Sequence, residues 1–273
     1  MKFGVLTLQN VAWSAFEKQW RDLEELGVET VWLADHLGDW RNLANPWLDG
    51  WSCLAALATG TMRVRLGPLV TPIAFRNPVA VAKAAITVDE ISGGRLELGV
   101  GAGVASDNEL AGVESWEPEE RLRRFEEFVV ALVAHLPGSL RPEPVQPAIP
   151  LTIAGQAQAS LRLAARHAHR WITYAGSGLQ PDEGARLTRE RNDRLDALCA
   201  KLGRDPRTLV RSMLVHDFNV GETPFRSEAD FHALVARWQK AGMDELIFYY
   251  PPTYGMPAGS VEPGLFERML GKG

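Results

Sequence analysis

Cysteine is nearly missing from this chain: only Cys53 and Cys199 occur in 273 residues, far apart and each within a segment of helical pattern. That excludes a disulfide framework and a paired-thiol metal site, and makes a reducing cytoplasm the expected compartment. Long hydrophobic runs are missing too, since nothing approaches the roughly 18 apolar residues that span a bilayer. The apolar run in Met1 to Leu8 is too short for a signal peptide and reads as a first strand. There is no basic excess either: 29 Lys and Arg face 34 Asp and Glu, a net charge of -5. Nucleic acid and anionic membrane are therefore not expected partners. His135, His167, His169, His216 and His232 show no ligand spacing with cysteine or carboxylate, so no metal site is expected.

What is present is ordinary globular composition, 46% hydrophobic and 23% charged, arranged in a regular alternation. Short runs rich in Val, Ile, Leu and Phe recur between longer segments of helical period, the pattern of parallel strands joined by crossover helices. Strands are expected at Phe3 to Leu8, Thr30 to Ala34, Val64 to Val70, Leu96 to Val100, Leu151 to Ala154, Trp171 to Tyr174, Val210 to Phe218 and Leu246 to Tyr250. Eight strands in a chain of this length point to a (β/α)8 TIM barrel, which takes roughly 250 residues.

Helix boundaries are written in the sequence as well. Ser14 through Leu26 stops at Gly27, while Asn45-Pro46 and Asn77-Pro78 each place a cap and an N1 proline, before Trp47 to Ala58 and Val79 to Ile91. Ser227 with Asp230 opens a helix that ends at Gly242. Pro137, Pro142, Pro144, Pro147 and Pro150 interrupt the alternation. They form either a domain boundary or an ordered connector. A single domain over 1–273 is the expectation, because four parallel strands alone would leave exposed edges.

In such a barrel the residues just past the carboxyl ends of the strands build the active site. His36 ends the second strand beside Asp35, where an imidazole can act as acid or base near neutral pH, or simply tie down the loop. Trp40 offers an apolar face for stacking. Trp47 and Trp51, four apart, have core spacing. Gly99-Val100-Gly101-Ala102-Gly103 follows a strand, so backbone N–H groups can approach a ligand, although a tight turn would look the same. The spacing is not the dinucleotide fingerprint, whose third glycine falls one residue later. Ala154-Gly155-Gln156-Ala157 joins a strand to a helix and is a physical site for phosphate, which Arg162 and Arg166 supplement if they face inward. His216 and Asp217, read as strand residues, face opposite ways. Tyr249, Tyr250 and Tyr254 line the substrate side or seal the barrel edge.

The strings Glu25 to Leu37, Leu54 to Leu57 with Arg63 to Gly67, Val70-Thr71-Pro72 with Arg76-Asn77-Pro78, Val88 to Gly101, and Pro150 to Gly155 resemble the bacterial-luciferase-like superfamily of flavin and deazaflavin oxidoreductases. The resemblance covers roughly residues 1 to 175, and beyond them only the strand and helix rhythm. It implies a barrel whose mouth holds the deazaflavin F420, or alternatively FMN, commonly in a homodimer acting on a small-molecule substrate. His36 followed by Trp40 looks like the deazaflavin branch and implies that these two are catalytic. Asp35, Pro68, Leu69, Val70, Gly99, Gly101, Ala102, Gly103, Ala154, Gly155, Gln156 and Ala157 are the implied cofactor-binding residues; Pro68 to Val70 lie where many relatives carry a non-prolyl cis peptide, with an ordinary strand end as the alternative. Two positions depart from the pattern. Val104 stands where deazaflavin-dependent sugar-phosphate dehydrogenases carry a catalytic glutamate, with Glu109 no evident substitute, and His169 stands where an Asp is usual. The rival readings are a reduced-FMN monooxygenase with a partner reductase and a non-catalytic flavin-binding relative. The short connector after Leu136 keeps the last one open.

Overall fold

The computed structural model describes residues 1–136 and 138–271. In chain order the elements are β1 (Lys2–Thr7), α1 (Trp13–Glu25), β2 (Thr30–Leu33), α2 (Gly50–Gly60), β3 (Arg65–Pro68), β4 (Thr71–Pro72), α3 (Pro78–Ser92) and β5 (Leu98–Gly101). There follow α4 (Ala105–Leu110), α5 (Pro118–His135), β6 (Leu151–Ala154), α6 (Gln158–His167), β7 (Arg170–Thr173) and α7 (Pro181–Lys201). The chain closes with β8 (Val210–Val215), α8 (Asp217–Val220), α9 (Glu228–Lys240), β9 (Glu245–Tyr250) and α10 (Leu265–Leu270).

All strand pairs are parallel, in the order β3-β2-β1-β9-β8-β7-β6-β5-β4, and a parallel bridge between Leu66 and Leu96 brings the two ends together. The result is a TIM barrel of eight staves. The third stave, expected as one strand over Val64 to Val70, is two: β3 pairs with β2, and β4 pairs with β5. Between them the Leu69–Val70 peptide is cis, as the family resemblance implied. Of the proline connector, Pro137 lies outside the described residues, and the remainder carries no helix or strand. Strands from both sides of it enter the same sheet.

Glycine makes the seam possible. A Cβ on Gly67 would lie 1.8 Å from the Glu97 carbonyl oxygen, and one on Gly99 would lie 2.2 Å from that of Pro68. Both contacts are with backbone, which cannot swing aside. Gly67→Ala is therefore expected to cost about 3 kcal/mol, roughly 6–12 °C in Tm; thermal unfolding with an unchanged Tm would show that the seam relaxes freely.

Two expected boundaries are corrected. The α2 helix starts at Gly50 and not at Trp47, because Asp49 accepts from the Ser52 N–H (2.8 Å) while Asn45 donates to Asp39 (2.8 Å) in the preceding loop. The seventh stave, β8, ends at Val215, and Asp217–Val220 forms a helical turn, so His216 and Asp217 are not alternating strand residues. The Asn77 cap on α3, accepting from Val79 and Ala80, and the Ser227 cap on α9 are as expected.

Helices pack on the outer sheet face through a large apolar cluster, while a smaller one, including Leu6, Trp32, Leu69, Ile247 and Tyr249, fills the barrel interior. Beneath it the interior is ionic. Arg170 pairs with Glu97 and with Glu245 (3.0 Å), Ser212 donates to Glu245 (2.5 Å), Arg65 pairs with Glu97 (2.7 Å), and the Arg170 guanidinium sits 5.3 Å from the Trp32 ring centroid. This floor is closed, so the open end of the barrel is the carboxyl end of the strands.

Candidate active site

At that end lies a cavity of about 590 Å³, within the usual range for a small-molecule or cofactor site. Its wall is built from strand ends. The β2 strand delivers Ala34 and His36, the split third stave delivers Leu69, Val70 and Pro72, and β5 delivers Gly101 to Ala105. Opposite them stand Ala154 to Ala157, Ile172 to Tyr174, Leu214 and Tyr249.

Asp107 has no counterpart in the sequence reading. It lies buried in α4, accepts from His36 Nδ1 at 2.6 Å with one oxygen and from the Leu37 N–H at 3.2 Å with the other. A carboxylate at this distance fixes the neutral ring as the Nδ1–H tautomer and leaves Nε2 available to a ligand in the cavity. The His36 ring is thus oriented by a second group, as a working acid or base needs to be. Only its place three residues after Val104, on a helix following the glycine loop, could have pointed to Asp107. Glu109 is exposed on the same helix and does not line the cavity.

Around His36 the rings form an arc. Trp40 lies 4.9 Å from His36 between centroids, Trp47 lies 5.7 Å from Trp40, and Tyr254 lies 6.4 Å from Trp40 and stacks on Tyr249 at 5.9 Å. Trp47, read from its spacing as core, lies outside α2 and belongs to this arc; Trp51 is buried and donates to Thr71 Oγ1 (3.1 Å). Tyr249 lines the cavity, and burial pushes its phenol far above the ordinary range, which keeps it neutral. Tyr250 packs on Phe266 instead.

Asp35 does not face the cavity. It is buried behind the wall, pairs with Arg76 (2.5 Å) and accepts from Thr71 (2.9 Å). Burial raises its carboxyl pKa, and Arg76 opposes that rise. This cluster clamps the end of β2 to the third stave. Pro68 and Gly99 also lie behind the wall, meeting at the seam described above. The other eleven candidate residues, His36, Trp40, Leu69, Val70, Gly101, Ala102, Gly103, Ala154, Gly155, Gln156 and Ala157, line the cavity.

The turn before α6 has the features of an anion site. Gly155 has φ +139°, a Cβ there would meet Ser160 Oγ at 2.6 Å, and no side chain caps the first amides of α6. Gln156 is held by donating to the Tyr174 carbonyl (2.5 Å). Arg162 and Arg166 do not supplement it: both are exposed and turned away from the cavity. A different guanidinium does line the cavity, Arg121 in the first turn of α5, the helix packed beside α6. Its neighbours Arg123 and Arg124 are both engaged by Glu120, but Arg121 has no ion-pair partner among the described residues. At the departure from the family pattern, His169 Nδ1 accepts from the Leu151 N–H (3.1 Å), and burial lowers its pKa.

Among the described residues no group of three or more His, Cys, Asp or Glu is placed to hold a metal ion, and no helix is long and apolar enough to cross a membrane.

A family model described as luciferase-like monooxygenase matches residues 1–257. Over 110 residues the chain is 37% identical to an F420-dependent glucose-6-phosphate dehydrogenase of Amycolatopsis mediterranei, covering 39% of this chain and 32% of the relative. Over 134 residues it is 34% identical to 4-hydroxyprotoasukamycin monooxygenase of Streptomyces nodosus subsp. asukaensis, covering 46% and 33%. The chain thus spans about a third of the length of these curated relatives. A solved F420-dependent secondary alcohol dehydrogenase, in complex with an F420-acetone adduct, superposes with a TM-score of 0.75 over 97% of this chain and 98% of the other at 17% identity, a likeness of fold.

Proposed function

The chain belongs to the luciferase-like monooxygenase family, and from that premise we propose that it is an F420-dependent oxidoreductase, transferring a hydride between the deazaflavin and a small organic substrate. The observation that carries this reading is the Asp107-oriented His36 on the wall of the same cavity as the glycine loop and the α6 turn.

The residues fit such a cofactor. Gly101 and Gly103 let a flat ring approach the backbone closely, Leu69 and Val70 back it, and the uncapped α6 amides with Arg121 offer two sources of positive potential to its phosphate. When bound, F420 supplies a two-electron hydride donor or acceptor. His36 Nε2 takes the proton of a substrate hydroxyl in the oxidative direction and returns one to the oxygen in the reductive direction. Trp40 and the apolar wall hold the substrate against that nitrogen and exclude water, so positioning lowers much of the barrier. The protein acts in this reading as a single-domain homodimer in the cytoplasm, with no partner reductase.

The match to a monooxygenase favours a second reading, in which reduced FMN occupies the cavity and a separate reductase supplies electrons. Anaerobic titration of the stripped protein with F420, oxidised FMN and reduced FMN separates the two. Tight F420 binding with weak FMN binding is expected; the reverse would replace the first reading with the second, and no binding of any would favour a non-catalytic relative. In the same titration Arg121→Ala is expected to weaken the phosphate-bearing cofactor about 10- to 100-fold, the worth of a charge-assisted hydrogen bond.

A further inference from the structure

We infer that the substrate is a bulky apolar molecule, one end of which enters the cavity to reach His36 while the rest lies on an apolar rim outside it. This rests on the reading of the cavity as an oxidoreductase site and names the substrate class.

The rim comes from three separate loops that all follow carboxyl ends of strands. Leu37, Trp40 and Leu43 come from the loop after β2, Val104 and Leu110 flank and end α4 after β5, and Phe218 sits in α8 after β8. All six side chains are exposed, Leu43 at 62% and Leu110 at 47%. Single exposed apolar residues elsewhere on the surface, such as Met62, are ordinary. A belt around one opening is not.

The belt is continuous with the cavity. Leu43 and Leu110, from different loops, meet over Gly38, whose absent Cβ would lie 3.0 Å from Leu43 Cδ2 and 3.5 Å from Leu110 Cδ1. Trp40 and Val104 line the cavity itself, and the Phe218 ring lies 5.9 Å from that of Tyr249, also in the wall. An apolar path therefore leads from His36 out over the rim, interrupted by no carboxylate among the lining residues. A bound cofactor would take part of the 590 Å³. What remains is apolar at Val104, which lines the cavity on the side of the rim.

The test is the affinity of cofactor-loaded protein for the 2-alkanones from 2-butanone to 2-decanone, measured by calorimetry without turnover. Affinity is expected to rise about threefold to fourfold per added methylene up to 2-decanone. The Leu43→Ser/Leu110→Ser variant, whose changes lie outside the cavity wall, is expected to flatten the rise for the long ketones and leave 2-butanone and cofactor binding unchanged. Affinity independent of length in the unaltered protein would overturn the inference. So would a variant that keeps the full slope while sedimentation shows a change in oligomeric state, since the rim would then be a protein interface. Loss of turnover on every ketone with the slope intact would sink the hydride-transfer reading alone.

Discussion

Asp107→Asn is expected to lower turnover by about 10²–10⁴ in an anaerobic F420-coupled assay, close to the loss from His36→Ala, with cofactor affinity unchanged. The physical reason is the tautomer. Asp107 accepts two hydrogen bonds, from His36 Nδ1 and from the Leu37 N–H. An amide has only one oxygen. If that oxygen keeps the Leu37 N–H, its NH2 group faces Nδ1, which must then accept, and the ring proton moves to Nε2. The nitrogen that faces the substrate can no longer take a proton. Two residues acting as one unit should also be non-additive, so the double variant is expected to be no slower than His36→Ala. Nitrogen chemical shifts of the His36 ring give a readout a packing defect would not imitate: the Nδ1–H form in the unaltered protein and the Nε2–H form in Asp107→Asn. Full activity in His36→Ala would make the histidine a spectator and leave proton transfer to solvent.

Arg170→Met is expected to destabilise the fold by about 3–5 kcal/mol in denaturant unfolding. Arg170 is the shared partner of Glu97 and Glu245 under the barrel interior, all three buried. Removing it leaves two carboxylates facing each other in a medium that solvates neither, and that uncompensated charge dominates the cost. Arg65 and Ser212 satisfy only part of it. Exchanging the three together for apolar side chains of similar volume, as in Arg170→Met/Glu97→Leu/Glu245→Met, is expected to recover most of the loss, since the ions then no longer need solvation. A single variant within about 1 kcal/mol of the unaltered protein would show that water reaches the floor.

The staves and most helices were legible because each is coded within a dozen residues. Thr30 to Leu33 is an apolar run bounded by polar residues, and Asn77-Pro78 carries its own cap and start. Asn45-Pro46 shows where this fails. It has the same local signature, but Asp39 draws the Asn45 side chain into the loop, and Asp49, held by Arg76 (2.9 Å), caps the helix instead. Trp47 was misplaced for the same reason, its core-like spacing from Trp51 meaning nothing once the helix starts at Gly50.

The site divides along the same line. His36, the glycine loop and the Ala154 to Ala157 turn were readable by themselves, because strand ends in a parallel barrel share one mouth, so alternation along the chain already determines which residues gather there. Asp107 was not readable, being 71 residues from His36, nor was the floor, where Arg170 is 73 residues from Glu97. Arg121 was missed in favour of Arg162 and Arg166, whose helix is nearer in sequence but turns them outward. The sequence alone thus determined the barrel, its working end and the histidine that marks it, since periodicity and strand-end position are local properties. Only the tertiary structure decided which carboxylate orients that histidine, which cation faces the cavity and which leucines frame it, because a charge or a ring acquires its role from neighbours that chain closure brings together.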